Sequence, residues 1–122
     1  MFLKIPQEKK IVWTSHSKMK LRQYGFSEKR VLNILRKPDR IEEGIAPRTI
    51  AVMQITGTKK HQTEAWAMYQ IISEKRKVKS EKLKIIRIIS AWRYPGRTPV
   101  GVKPIVPEDT LEELERAGMS SR

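Results

Sequence analysis

The segment LKIIRIISAWRY, residues 83–94, decides the fold. Isoleucines occupy both alternating sets of positions, so a β-strand formed here is apolar on both faces. Such a strand is typical of the interior of a sheet. Pro95 and Gly96 follow and end it. We therefore predict a central strand, around which the rest of the chain is arranged.

Two short helices with a shared apolar side are predicted upstream of the strands. The first follows Thr14 and Ser15, either of which can cap it, and Gly25 provides the left-handed residue at its exit. The second follows Ser27, has apolar residues at the spacing of one buried face, and stops at Pro38. The two helices form a hairpin-like pair.

Strand-like patterns begin after the helices. A short DRIEEGI is followed by RTIAVMQIT, by TEAWAMYQIIS and by the central strand. Residues 11–13, IVW, are too few for more than a short strand or an extended lead-in. The predicted class is α+β, with two N-terminal helices packed on an antiparallel sheet of about four strands.

The last part of the chain has a different composition. Residues 94–107 contain four prolines and two glycines, which predicts an extended arm that forms no core element. A short acidic helix follows, for which Thr110 and Glu113 fit a capping box and Gly118 fits the exit. We therefore predict a single domain over residues 1–94, followed by an arm and a short helix over residues 95–122.

The charge balance points to an anionic partner. The chain has 26 Lys and Arg against 13 Asp and Glu, a net charge of +13. Residues 1–37 and 74–104 each carry ten cations and two anions. Such an excess creates a field that attracts polyanions, so RNA, the ribosome or an acidic protein is the expected partner. A device for solubility is the alternative.

Several function classes are disfavoured by composition. The absence of cysteine removes disulfides, thiol catalysis and the usual zinc ligand sets, and two histidines do not complete such a site alone. We expect no metal and no cofactor. The N-terminus lacks the apolar run of a signal peptide, and the segment IIRIISAW is too short and too charged to span a membrane. A cytoplasmic protein without a membrane partner is expected.

One family pattern is present in this chain. The segment HSKMKLRQYGFSEKRVLNILRKPDRIEEG, residues 16–44, resembles the opening of the BrnT-like toxin-related domains, which are placed near the RelE and ParE toxins. The late motif IIRIISAWR is similar to the last strand of that family. The residues that fall on the opening pattern are His16, Lys20, Gly25, Ser27, Pro38 and Asp39. The resemblance covers residues 13–94. It implies a ribosome-dependent or free endoribonuclease that works without metal and is neutralised by an antitoxin partner, expected here to be acidic, whereas the ParE branch acts on gyrase instead.

Metal-free RNA cleavage needs a proton-transfer group and cations where charge develops on the phosphate. His16 is the candidate proton shuttle, and a surface or capping histidine is the alternative. Alternation along the last strand places Arg87 and Arg93 on one face, where they would stabilise charge together with Lys20. The alternative for Arg87 is a structural pairing with Glu42, Glu43 or Glu64.

Nucleic-acid contacts are expected from two further places. Trp92 and Tyr94, beside Arg93 and Arg97, offer aromatic faces and guanidinium groups for stacking on bases. The alternative for Trp92 is a core residue. The segment EKRKVKSEKLK is predicted to form a basic hairpin that follows a phosphate backbone or, alternatively, a solvated turn. Its cations are Lys75, Arg76, Lys77, Lys79, Lys82 and Lys84.

Two main functions of different class, and a third option, therefore fit the residues. One is a metal-independent endoribonuclease that uses His16, Arg87 and Arg93. The other is a non-catalytic RNA- or ribosome-binding module, and a third option is a basic protein that binds only an acidic antitoxin-like partner. A separate hypothesis is that the acidic tail, residues 108–115, folds back on the basic face and competes with ligand.

Overall fold

The computed structural model describes residues 9–75 and 82–119. Within these ranges the chain is α+β, as predicted, with three helices and one five-stranded sheet. The elements are β1 (Lys9–Trp13), α1 (Ser15–Tyr24), α2 (Glu28–Arg36), β2 (Arg40–Glu43), β3 (Thr49–Gly57), β4 (Gln62–Lys75), β5 (Lys82–Tyr94) and α3 (Glu108–Arg116). None of the helices in the described part is long and apolar enough to cross a membrane.

The sheet is mixed, and β5 lies inside it. The strand order is β1-β5-β4-β3-β2, so β5 has a partner on each side, as its apolar pattern predicts. The prediction of about four antiparallel strands is wrong in one respect, because β1 adds a fifth strand that runs parallel to β5. Ile11 pairs with Ile86, far away in sequence, and local patterning in a five-residue segment carries no signal of such a partner.

The sheet buries both of its faces. On one face, which we call the helix side, α1 and α2 cover the strands. On the other, the arm side, the C-terminal segment covers them. The helix-side core includes Leu21, Phe26, Val31, Ile34, Val52, Ala67 and Ile88. The arm-side core includes Ala51, Met53, Trp66, Met68, Ile89, Trp92 and Leu114.

Local sequence signals explain the two N-terminal helices. Thr14 is the N-cap of α1, where its side chain accepts a hydrogen bond from the backbone of Ser17 at 3.0 Å. Gly25 ends α1 at φ 73°, a conformation that glycine adopts without steric cost. Ser27 caps α2 in the same way, because its side chain accepts a hydrogen bond from the backbone of Arg30. The caps explain where these helices begin, and burial of their apolar faces holds them on the sheet.

A β-bulge divides β5 and inverts its alternation. Met68 pairs with Ser90 while Tyr69 pairs with Ile88, so Ile89 is an extra residue. Before the bulge Arg87 points to the arm side, opposite Gln70. After it Arg93 points to the helix side, where it lies over Phe26. The prediction that Arg87 and Arg93 share a face is therefore wrong, because strict alternation does not survive an inserted residue.

The arm, residues 95–107, contains no helix or strand but packs on the sheet. Thr98 and Pro104 are buried, and Val106 packs against the arm-side core. The segment therefore forms no helix or strand of the core, but its side chains cover one face of the sheet. A proline-rich segment lacks the donors for a ladder, yet it can cover a sheet through side chains and isolated hydrogen bonds.

The acidic helix α3 begins differently from the predicted capping box. Its N-cap is Pro107, which provides no side-chain cap, and Thr110 is fully buried. Leu114 is buried in the arm-side core, whereas Leu111 is 44% exposed. The hydroxyl of Thr110 is engaged in tertiary hydrogen bonds instead of capping its own helix.

Candidate functional site

His16 lies beneath α3 rather than on an open face. The residue is 7% exposed, and its Nε2 is 3.0 Å from Oγ1 of Thr110. The same hydroxyl is 2.9 Å from Oγ of Ser90 in β5. His16, Thr110 and Ser90 thus form a buried polar chain that joins α1, α3 and β5. A substrate can reach the imidazole only if α3 moves.

Burial sets the protonation of His16. Removal from water lowers the pKa of the imidazole, because desolvation penalises the charged ring. The negative charges of Asp109 and Glu113 act in the opposite direction without overcoming burial. The ring is therefore neutral at pH 7, which suits a proton acceptor as well as a partner of a threonine hydroxyl.

Lys20, one turn further along α1, is equally covered. Its side chain is 1% exposed, and Nζ donates to both carboxylate oxygens of Asp109 at 2.9 and 3.0 Å and to Oε1 of Gln23 at 3.0 Å. Burial by itself raises the pKa of Asp109, but the hydrogen bond and charge of Lys20 outweigh it and lower that pKa. The predicted phosphate contact of Lys20 is thus occupied by a carboxylate of the same chain.

The three predicted catalytic residues do not converge. Arg93 donates from Nε to the backbone carbonyl of Tyr24 at 3.1 Å, and its guanidinium lies 4.3 Å from the ring centroid of Phe26. Arg87 donates to Oε1 of Gln70 at 3.2 Å on the arm side. Neither arginine forms a described contact with His16. The alternative pairing of Arg87 with a glutamate also does not occur among the described side chains.

The aromatic platform predicted at the end of β5 is inside the core. Trp92 is 1% exposed and stacks on Trp66 with the ring centroids 6.0 Å apart and the planes 5° from parallel. Tyr94 is partly buried against the same cluster. Stacking on bases requires an accessible ring face, so Trp92 does not provide one here. Its alternative assignment as a core residue is the one observed.

Arg97 serves a structural network that the sequence did not reveal. The carboxylate of Glu64 is completely buried and accepts hydrogen bonds from Trp66 Nε1 at 2.8 Å, from the Thr98 amide and hydroxyl at 2.9 and 2.8 Å, and from Arg97 Nε at 3.1 Å. Burial raises the pKa of Glu64, but these donors outweigh it and lower that pKa. Glu64 therefore ties the arm to the sheet as a carboxylate.

The basic hairpin is only partly described. Arg76, Lys77 and Lys79 lie outside the described residues. The backbones of Lys75 and Lys82 pair at the described ends of β4 and β5. Lys84 is half-buried, and its position in the alternation of β5 places it on the helix side.

A cleft on the arm side contains two arginines. It measures about 430 Å³ and is lined by Arg48, Gln70, Ile71, Ile72, Arg87, Ala117 and Met119. Arg48 was not singled out from the sequence, although the dipeptide Pro47–Arg48 between two strand patterns is a turn signal. A second cleft of about 380 Å³, at the turn between β3 and β4, is lined by Lys59, Lys60, His61, Gln62, Thr63, Pro95 and Arg97.

No protein-family model, curated protein or solved structure matches this chain. Within residues 9–75 and 82–119, no group of three or more His, Asp or Glu side chains is placed to hold a metal ion. Function is therefore inferred from the chemistry of the chain's own residues.

Proposed function

We propose that this protein binds RNA through its uncompensated positive charge, as a module that need not cleave it. The observation that carries the proposal is the number of exposed cations that form no ion pair within the described part of the chain. Ion pairs between described side chains involve four basic residues, Lys20, Arg40, Arg97 and Arg116. The exposed cations without such a pair include Lys10, Lys18, Arg22, Lys29, Arg36, Lys37, Arg48, Lys59, Lys60, Arg93 and Lys103.

The geometry favours binding over catalysis. Cleavage needs the proton-transfer group and the charge-stabilising cations at one phosphate. His16 and Lys20 are covered by α3, Arg93 lies on the helix side and Arg87 on the arm side. Phosphate contacts that only position a strand require no such convergence. A basic surface without an assembled acid–base centre is therefore sufficient for the proposed role.

A metal-independent endoribonuclease of BrnT-like or RelE-like type is the second candidate. The observation that favours it is the pair His16 and Lys20, a neutral imidazole and a cation one turn apart beneath α3. In this reaction the ribose 2′-hydroxyl attacks the adjacent phosphorus and the bond to the 5′-oxygen breaks. The products are a 2′,3′-cyclic phosphate and a 5′-hydroxyl. His16 would accept the proton of the attacking hydroxyl and later release it to water, and the departing 5′-oxygen would take its proton from water.

RNA binding and RNA cleavage measured on the same samples separate the two candidates. Fluorescence anisotropy with a labelled single-stranded RNA should give an affinity that falls linearly with the logarithm of salt concentration. Gel analysis of the same RNA should show it intact. An acidic peptide in place of RNA tests the antitoxin-like alternative, and tight binding of that peptide with no salt-dependent RNA binding would overturn the proposal.

Displacement of α3 gives the decisive comparison for catalysis. The double variant Asp109→Lys/Leu114→Ala places a cation opposite Lys20 and removes the apolar anchor of α3. We expect this variant to bind RNA without producing cyclic phosphate. If cleavage appears and is abolished by adding His16→Ala, the endoribonuclease assignment replaces the binding module.

A further inference from the structure

The cleft between Arg48 and Arg87 contains two cations that face no described anion. Arg87 is half-buried in the middle of β5, and the hydrogen bond described for it goes to the neutral amide of Gln70. The lining of the cleft, given above, includes no carboxylate. A guanidinium taken partly out of water without a counterion is costly, and a second one facing the same space adds like-charge repulsion.

The position of Arg48 adds a second, independent cost. Its φ is 61°, and it is the only non-glycine residue with positive φ in the described part of the chain. It follows Pro47 in a turn closed by a hydrogen bond from the amide of Thr49 to the carbonyl of Ala46 at 3.2 Å. Glycine or asparagine is the ordinary residue at this third position of such a turn. An arginine held there at a cost in backbone energy indicates a use for its side chain.

The end of α3 compensates these charges only in part. Ala117 and Met119, which line the cleft, lie at the C-terminal end of α3, where helix carbonyls carry a partial negative charge. No hydrogen bond from Arg48 or Arg87 to these carbonyls is formed within the described chain. The partial negative charge of a helix end is smaller than two full positive charges, so the net charge around the cleft remains positive.

We propose that this cleft binds a phosphodiester group of RNA between the guanidinium groups of Arg48 and Arg87. This inference rests on the proposed RNA binding and assigns its anchor. A phosphate has two free oxygens, which match the paired donors of a guanidinium. Gln70 orients Arg87 for this contact from the opposite strand. The side chains of Ile72 and Met119 form apolar walls against which a sugar or base packs.

The test compares two pairs of substitutions that remove the same charge. Arg48→Asn/Arg87→Gln removes both cations from the cleft, and asparagine adopts positive φ more readily than other non-glycine residues, so the turn is retained. The control is Arg22→Ala/Arg36→Ala, which removes two exposed arginines near the ends of α1 and α2. We expect the cleft pair to weaken single-stranded RNA binding about ten- to a hundredfold more than the control pair.

A third variant tests the geometry rather than the charge. Arg87→Lys keeps a cation on β5 but loses the planar fork, so its affinity for RNA should fall while the salt dependence stays close to that of the parent protein. Thermal denaturation of each variant checks that it folds. Equal losses for the cleft pair and the control pair would overturn the inference and leave general RNA binding intact.

Inorganic phosphate distinguishes failure of the cleft from failure of RNA binding. If the parent protein does not bind RNA, the proposed function is wrong. In that case, the cleft can still be tested by asking whether phosphate stabilises the parent more than chloride does at equal ionic strength. If this extra stabilisation is lost in the cleft pair and kept in the control pair, the cleft is retained as a phosphate site. If the parent shows neither RNA binding nor this extra stabilisation by phosphate, both the proposed function and the phosphate site are wrong.

Discussion

His16 illustrates how one side chain is defined by its neighbours. In sequence it is a lone histidine at the start of a basic helix, a description that fits a catalytic base and a surface residue equally well. In the structure it is bound to Thr110 and covered by α3. Its neutral ring is a consequence of burial, and the burial comes from an element 94 residues away in the chain.

The pH dependence of stability tests this environment. Because the pKa of His16 is lowered in the folded state, the unfolded chain binds the proton more readily. The contribution of the neutral ring to folding stability is therefore fully present above the ordinary pKa of about 6.5. It should be lost progressively as the pH falls through that value towards the lower folded pKa. Thermal midpoints measured between about pH 7.5 and 5.5 should therefore fall for the parent and change less for His16→Gln.

A matched substitution controls for general effects of acid. His61 is exposed in the turn between β3 and β4, so His61→Gln should keep the pH slope of the parent. If His16→Gln retains the full slope, the buried imidazole is not its source.

Glu64 is the buried charge on which the arm depends. Glu64→Gln removes the carboxylate that pairs with Arg97, leaves Arg40 with Glu42 alone, and places an amide nitrogen among donors. Loss of the buried carboxylate leaves the guanidinium of Arg97 uncompensated and its other donors facing an amide, so we expect unfolding to become easier by about 3 kcal/mol. Chemical denaturation measures this, and Glu112→Gln on the exposed surface of α3 is the control, with a change within about 0.5 kcal/mol.

At the scale of elements, α3 is attached by few groups. Within the described part of the chain, Leu114 is the buried apolar side chain that anchors α3. The ion pair of Lys20 with Asp109 and the hydrogen bonds of Thr110 support it. A helix held by one apolar side chain and a partly exposed ion pair opens more easily than a core strand. Access to His16 and Lys20 is therefore governed by the docking of α3.

Two leucines on α3 provide a matched test of this docking. Leu114→Ala removes a buried side chain, so opening of α3 should become easier by about 2–4 kcal/mol. Hydrogen exchange of the α3 amides should accelerate accordingly, with little change in the strands. Leu111→Ala lies on the same helix but on its exposed side, and it should leave exchange nearly unchanged. Equal acceleration by both substitutions would contradict an anchor role for Leu114.

At the scale of the whole molecule, the positive charge both attracts anionic ligands and lowers the stability of the folded state. A net charge of +13, which already counts every Asp and Glu against a Lys or Arg, repels itself in the folded state. The same charge attracts a polyanion from a distance. An anion bound to the surface should therefore stabilise the fold as well as occupy a site.

Ionic strength tests the balance of these charges. Raising sodium chloride from about 0.02 M to about 0.3 M shortens the screening length from roughly 20 Å to 6 Å, so long-range repulsion should weaken more than the close ion pairs. We expect the thermal midpoint to rise. A fall over this range would mean that ion pairs contribute more to stability than repulsion removes.

Local pattern accounts for a large part of the fold. Thr14, Gly25 and Ser27 mark helix ends because capping depends on residues within one turn, and the isoleucines of β5 indicate an internal strand. The parallel pairing of β1 with β5 and the bulge at Ile89 were missed because both depend on a distant partner. That single inserted residue separates Arg87 from Arg93, which no periodicity in the sequence indicates.

The sequence by itself determined the α+β class, the boundaries of α1 and α2 and the excess of positive charge, because these follow from neighbouring residues and from composition. Only the tertiary structure decided which cations remain available. It placed α3 over His16 and Lys20, buried Trp92 against Trp66, and left Arg48 and Arg87 facing one cleft. Pairing and burial are set by contacts between residues far apart in the chain, and those contacts determine which charges face solvent.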